Sequence, residues 1–469
     1  MTSLDYDSHF SDSNVPFGIA SSKTHQQPQA ATRLGNSVLY LADLSTIGLF
    51  SAVEGLPDGV FEQQTLNEFA ALPKSVHNGV RGSIQDAFRA GGLDAFPRGS
   101  VEDVSTVTMH LPVQICDFAD FSCSLEHVKN AGRIIAKTDQ PPPAFFNFPT
   151  VYQGRAGSVV VSGTEIERPI GQYRDKGAQD TPVVFGPSRM MDYELEFAAV
   201  VGKPLPMRQR LRATDADDHI FGFVLLNDWS ARDIQAFEMV PLGPALGKSS
   251  GTTISPWIVT ADALEPFKVP SLVPRNLPVP PHLDDPDNRN YSVRMQVEIL
   301  TGSGPSTATV TGACDLPSSM YWTARQMAAH IASSGSALRT GDILATGTVS
   351  GAGAGARGCL LEATEGGTEP IRLRDGSTRR FLEDGDVVRM TGVAGDSSSG
   401  VGWGDSLRAS GPGTRKHGCR ELLAAVSSKS ASRPKATWTC WPESATLNHA
   451  RRPRWSCGTG VAVRPSVSP

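Results

Sequence analysis

Two glutamates one residue apart, Glu194 and Glu196 in Asp192-Tyr-Glu-Leu-Glu-Phe, are the sharpest chemical signal in the chain. Side chains of a strand alternate between its faces, so both carboxylates would share one face while Tyr193, Leu195 and Phe197 pack on the other. Two like charges so placed repel each other unless a cation or solvent relieves them. Alone, the pair reads more readily as the exposed face of an edge strand than as a metal site. Asp120, in Asp117-Phe-Ala-Asp, and Asp228, in Asn227-Asp-Trp-Ser-Ala-Arg-Asp, shift that balance, because Asp228 follows directly on an apolar run. Acidic groups at strand ends are where a hard divalent ion finds oxygen ligands. A set of Asp120, Glu194, Glu196 and Asp228, with no Cys or His in it, favours Mg²⁺ or Ca²⁺ over zinc.

A lysine on a glycine-rich loop is the second signal. Gly243-Pro-Ala-Leu-Gly-Lys-Ser249 has three residues between its first glycine and Gly-Lys, where a nucleotide-binding loop requires four, so ATP binding is excluded. Lys248 instead stands ahead of Gly251-Thr-Thr-Ile-Ser-Pro-Trp257, where its ammonium could meet a substrate oxyanion, although most lysines simply lie at the surface.

These groups need strands to carry them. Gly157–Gly163, Tyr193–Val201, Ile220–Leu226 and Tyr291–Leu300 are long β-type runs, and Met320–Ser333 has a helical pattern. Before them, Val38–Leu41 and Val104–Leu111 read as strands, with helical turns at Leu66–Leu72 and Ser83–Phe88. The pattern predicts an α+β, mainly β protein: a small β-rich domain over 1–114, a larger sheet-dominated domain over 115–405, and a tail over 406–469.

At 469 residues, with 39% hydrophobic and 19% charged residues, the composition is globular, and 46 Gly and 34 Pro imply many turns. The net charge of −5 is asymmetric: residues 406–469 hold eleven Lys or Arg against Glu421 and Glu443, a local +9, which leaves the rest at −14. An acidic body argues against nucleic acid as a partner. The acidic N-terminus and the lack of a long apolar stretch predict a soluble cytoplasmic protein without a membrane partner. Seven cysteines without C-x-x-C spacing predict free thiols rather than a disulfide framework or zinc site. Past Gly404 the apolar periodicity is lost, which predicts a disordered or aberrant basic tail.

Residues 115 to about 404 resemble the fumarylacetoacetase family, and the first 110 residues fit its N-terminal domain more loosely. The resemblance rests on Asp117-Phe-Ala-Asp-Phe121 with His127 downstream, Gly154-Arg-Ala-Gly-Ser-Val-Val-Val-Ser-Gly-Thr164, Asp192–Glu196, Asn227–Gln235, Pro241–Ser249, Gly251–Trp257 and Gly347-Thr-Val-Ser-Gly351. It implies an SH3-like N-terminal barrel followed by a mixed β-roll catalytic domain, as a homodimer. The activity implied is metal-dependent hydrolysis of a C–C bond in a β-diketo acid, 4-fumarylacetoacetate in the first instance, with a small-molecule substrate and Mg²⁺ or Ca²⁺ as cofactor.

The resemblance further implies a metal held by Asp120, Glu194, Glu196 and Asp228, with Lys248 and Thr252 completing that site. It implies His127 as the general base oriented by Glu362, and Arg232, Gln235 and Lys248 as donors to the oxyanion. Substrate contacts fall on Ser122, Gln235, Met239 and Thr348. A neutral imidazole can take a proton from water near neutral pH, and a neighbouring carboxylate fixes its tautomer. Several positions depart from the family pattern: Ser122 and Met239 stand where tyrosines are usual, Ala136 beside Lys137 where an arginine is usual, and Gln153 where a histidine is usual. Losing a guanidinium and two phenols alters the groups that grip a substrate carboxylate, which leaves open a paralogue acting on another acylpyruvate-like diketone. A related decarboxylase or tautomerase would not need a water-activating pair, and a metal-binding pseudoenzyme is the non-catalytic alternative.

Overall fold

The computed structural model describes residues 6–175, 177–275, 277–302, 307–405 and 409–410. The expected tail over 406–469 therefore lies outside the described residues, apart from Ala409–Ser410, which pairs with Val387–Ala394. No helix among the described residues is long and apolar enough to cross a membrane.

The N-terminal segment builds a five-stranded antiparallel sheet in the order Val101–Asp103, Ser37–Tyr40, Gln29–Leu34, Phe17–Ser21, Thr108–His110. The single strand expected over Val104–Leu111 is broken. Asp103 accepts a hydrogen bond from the Ser105 amide at 2.8 Å and starts a 3₁₀ turn over Val104–Thr106, so only Thr108–His110 pairs. Conversely, the helical turn expected at Ser83–Phe88 is part of an 18-residue helix, Lys74–Gly91, whose Val76, Val80 and Ile84 form a buried stripe. Gly79 and Gly82 weaken that helical signal in the sequence. Gly79 is there for packing, since a Cβ would stand 2.9 Å from Val53 Cγ1.

Among the described residues, two large sheets carry most of the rest, alongside four two-stranded ones. The larger has eight strands, in the order Thr150–Gln153, Phe118–Ser122, Ile343–Ala345, Leu195–Val201, Ile220–Asp228, Thr252–Ile254, Val159–Val161, with Val259–Thr260 pairing alongside Ile220–Asp228. It is mixed: Ile343–Ala345 runs parallel to Phe118–Ser122, and Thr252–Ile254 parallel to Val159–Val161. The smaller, antiparallel, contains Ala308–Asp315, Val293–Leu300, Val387–Ala394 and Gly402–Asp405 with Ala409–Ser410.

The larger sheet is buried on both faces, which explains the unbroken apolar run Ile220–Leu226. Phe197, Phe223 and Leu225 pack toward Val297, Met390 and Trp403 of the smaller sheet. On the opposite face Ala198, Val200, Val224 and Leu226 join Phe17, Phe69 and Val80 of the N-terminal segment in one continuous core. The helix expected over Met320–Ser333 is shorter, Ala324–Ala332, because Thr323 and Gln326 form a reciprocal capping box that fixes its start.

Candidate active site

The acidic groups come from strands of the larger sheet. Asp120 is paired with Ala345 and Tyr152, Glu196 with Leu226, and Asp228 with Thr252. Asp120, Glu196 and Asp228 thus fall at one end of the sheet, on Leu195–Val201, its neighbour Ile220–Asp228 and, beyond Ile343–Ala345 on its other side, Phe118–Ser122. Glu194 differs from expectation: it precedes the strand Leu195–Val201 in an irregular step, where its amide donates to Asn227 Oδ1 at 3.0 Å. Strict alternation is not what brings it there, yet donor oxygens of all four carboxylates lie within 4.8 Å of one another. All four side chains are buried, which removes the edge-strand reading of the pair.

Two cations enter the cluster. Lys248 donates to Glu194 Oε2 and, at 2.7 Å, to Asp228 Oδ2. Arg232 donates to Glu194 Oε1 at 2.7 Å, to Asp192 Oδ2 at 2.8 Å and to Gln235 Oε1 at 3.2 Å. Burial alone would raise the Glu194 carboxyl, but Lys248 and Arg232 outweigh it and hold the group well below the usual range. Burial would likewise lower the Lys248 ammonium, and Asp228 and Glu194 hold it above its ordinary value.

The other half of the cluster has no such relief. Asp120 Oδ1 and both Glu196 carboxylate oxygens are buried without a hydrogen-bond partner. Burial first, and then the charges of the neighbouring carboxylates, push Asp120 and Glu196 well above the usual range. Orphaned buried oxygens cost several kcal/mol each by a rough reckoning and call for a counter-charge. An all-oxygen set with three unpartnered oxygens fits a hard divalent ion, so Asp120, Glu194, Glu196 and Asp228 could hold a metal. Thr252, expected to join the ligands, donates to Asp228 Oδ1 at 3.3 Å, and Tyr152 donates to Asp228 Oδ2 at 2.5 Å.

His127 and Glu362 meet as a dyad, Nδ1 to Oε2 at 2.8 Å. His127 stands in the first turn of the helix Leu125–Ala131, which Ser124 caps; the same hydroxyl donates to the Ser350 carbonyl at 2.9 Å. Glu362 stands in the helix Leu360–Ala363, whose first two amides donate to the Asp192 carboxylate at 2.7 and 2.9 Å. Glu362 also accepts from Asn130 at 2.9 Å, Ser350 at 2.6 Å and the Cys359 thiol at 3.2 Å. Burial opposes its ionisation, but His127 and the hydrogen bonds from His127, Ser350 and Asn130 bring it down to about 2. The imidazole keeps 14% of its side chain exposed and is near enough for its charge to act on Glu194.

The predicted oxyanion donors are largely committed to carboxylates. Arg232 retains one buried, unpartnered nitrogen, Nη2, and Gln235, holding Arg232 through Oε1, turns its amide nitrogen away from that contact. Thr348 is buried with a hydroxyl that has no partner, next to Gly347, whose φ of +73° and approach to the Phe121 carbonyl (2.0 Å from a Cβ) admit glycine alone. Ser122 closes its strand half-buried, and Met239 follows the helix Arg232–Glu238 with 45% exposed. Lys137 is exposed and donates one hydrogen bond to the Ile134 carbonyl at 3.0 Å.

Tyr152, Asn130, Ser350 and Asp192 were not singled out from the sequence. Asn130 sits three residues after His127, a helical spacing that would have put both on one side. Asp192 sits two before Glu194, but its partners lie 40 and 168 residues away, a distance no local pattern bridges.

Comparison with known proteins identifies the family. Residues 13–112 match the model described as fumarylacetoacetase N-terminal, and residues 117–402 the one described as fumarylacetoacetate hydrolase C-terminal. The chain is 40% identical to the fumarylacetoacetase of Arabidopsis thaliana over 405 residues, covering 85% of this chain and 94% of that one. It is 42% identical to the fumarylacetoacetase of Aspergillus fumigatus over 417 residues, and 39% identical to that of Homo sapiens over 409; each alignment covers 85% of this chain and 95% of the relative. Two family models in order along the chain, and identity of this extent with plant, fungal and animal relatives, show that the chain belongs to the fumarylacetoacetate hydrolase family.

Proposed function

We propose that the chain hydrolyses 4-fumarylacetoacetate to fumarate and acetoacetate, the last step of tyrosine and phenylalanine catabolism, with Mg²⁺ or Ca²⁺ held by Asp120, Glu194, Glu196 and Asp228. The observation that carries the reading is the His127–Glu362 hydrogen bond in a chain that also gathers the four buried carboxylates into one cluster. The Nδ1–H of His127 stays on Glu362, which leaves the Nε2 lone pair to take a proton from water. The water oxygen attacks the ketone carbon of the fumaryl group, and the oxyanion accepts hydrogen bonds from Arg232 Nη2 and the Gln235 amide. Lys248, buried between Glu194 and Asp228, adds positive charge on the same side. Collapse re-forms the carbonyl, breaks the adjacent C–C bond and releases acetoacetate as an enolate, which regains its proton from the imidazolium. A bound divalent ion would supply Lewis-acid stabilisation of the negative charge that develops on the diketone oxygens.

In this reading residues 1–114 back the catalytic sheet of 115–405, and the working assembly is a homodimer acting on a free diketo acid in the cytoplasm. A second reading, hydrolysis of a different acylpyruvate-like diketone, is favoured by Met239, Ala136 and Lys137, which present no guanidinium or phenol for a distal carboxylate. His127→Ala tests the mechanism common to both readings: turnover should fall on the order of 10²–10⁴-fold with divalent-ion binding intact. Hydrolysis at the wild-type rate in that variant would refute the assigned base.

A further inference from the structure

The dyad carries a third donor that hydrolysis does not use. Cys359 is fully buried, and its sulfur lies 3.2 Å from the Glu362 oxygen that also meets His127 Nδ1. A ring nitrogen of His127, Sγ and a Glu362 oxygen fall within 4.8 Å of one another, and Nδ1 is the nitrogen that faces Glu362. Tetrahedral zinc holds nitrogen at about 2.0–2.1 Å, sulfur at about 2.3 Å and oxygen at about 2.0–2.2 Å, so its ligands stand about 3.5 Å apart. The Glu362 oxygen stands 2.8 Å from Nδ1 and 3.2 Å from Sγ, near that spacing, and the partly exposed edge of His127 provides a way in. The two clusters differ in chemical softness. The four carboxylates suit a hard ion, while nitrogen, sulfur and oxygen together suit a softer transition metal.

We propose that His127, Cys359 and Glu362 form a second cation site that captures a soft divalent ion such as Zn²⁺ and thereby switches off the water-activating dyad. Coordination displaces the thiol proton to solvent, with no change of oxidation state. It also moves the imidazole proton from Nδ1 to Nε2, because Nδ1 now gives its lone pair to the metal. The nitrogen that would accept a proton from water then already carries one, so capture and base function exclude each other. The loss of hydrolysis rests on the function proposed above; capture of the ion does not.

The test uses the full chain in saturating Mg²⁺, titrated with Co²⁺, whose bond to a thiolate gives a near-ultraviolet charge-transfer band. The chain has seven cysteines, so the band is assigned by comparison with Cys359→Ser and His127→Gln. The proposal predicts a band at about one equivalent in the wild type that is lost in both variants and survives Mg²⁺. It also predicts that Zn²⁺ lowers wild-type hydrolysis about tenfold or more, but that of Cys359→Ser less than about twofold against its own zinc-free rate. A band that persists in either variant, or equal zinc inhibition of Cys359→Ser, overturns it. A band that behaves as predicted in a protein without hydrolytic activity upholds the metal site and removes the proposed function instead.

Discussion

Glu362 shows how one residue is made to serve by its neighbours. It is buried, yet the charge of His127, followed by hydrogen bonds from His127, Ser350 and Asn130, keeps it ionised with a pKa of about 2. Its folded value is depressed from 4.5, so the stability it contributes is fully present above about pH 4.5 and is lost as pH falls through about 2. The shift corresponds to about 3 kcal/mol. Denaturant unfolding of the wild type and Glu362→Gln across that window should show the wild-type advantage shrinking by about that amount; a gap independent of pH would contradict the assignment. At this scale the sequence was legible where chemistry is written in residue type. The four carboxylates were identifiable as one acidic cluster that could hold a hard ion, and His127 and Glu362 came through the family motifs. Asn130, Ser350 and Asp192 were not, because their role depends on contacts made across the fold.

At the scale of elements, the two short helices that carry the dyad are tied together by more than the dyad. Arg133 and Glu365 form two hydrogen bonds, of 2.5 and 2.8 Å, between the segments that follow His127 and Glu362. The contact is largely exposed, so its worth lies in orientation more than in stability. Arg133→Ala is therefore expected to lower kcat severalfold while moving the melting temperature little, as steady-state kinetics and thermal unfolding would reveal. The long strands were legible because burial on both faces leaves continuous apolar runs. The helix Lys74–Gly91 was not, because glycines chosen for close packing mask its period. Glu194 was placed correctly in the cluster but for an incomplete reason, since an irregular step and the Asn227 side chain position it.

Over the whole molecule, one sheet joins the N-terminal segment to the β-roll, and the site sits at its end. Trp403, near the end of the matched family region, closes the roll: it packs on Phe197 and donates to the Phe223 carbonyl at 2.9 Å. Trp403→Ala is expected to cost about 3–5 kcal/mol, read from denaturant midpoints. Metal linkage, if the proposed ion binds, belongs to the same scale. An ion present at about 100 times its Kd adds about 2.7 kcal/mol to stability, so EDTA should lower the melting temperature of the wild type but not of Glu196→Gln. The mixed β architecture followed from the runs and the family motifs, whereas the continuous core beneath the N-terminal sheet is a tertiary fact without a local signature. The central claim is tested most directly by the loss of ultraviolet absorbance of fumarylacetoacetate on adding the purified chain, with Mg²⁺ or Ca²⁺ and with EDTA. The account predicts metal-dependent loss with fumarate and acetoacetate as products; no loss with either ion, or loss unaffected by EDTA, would contradict it.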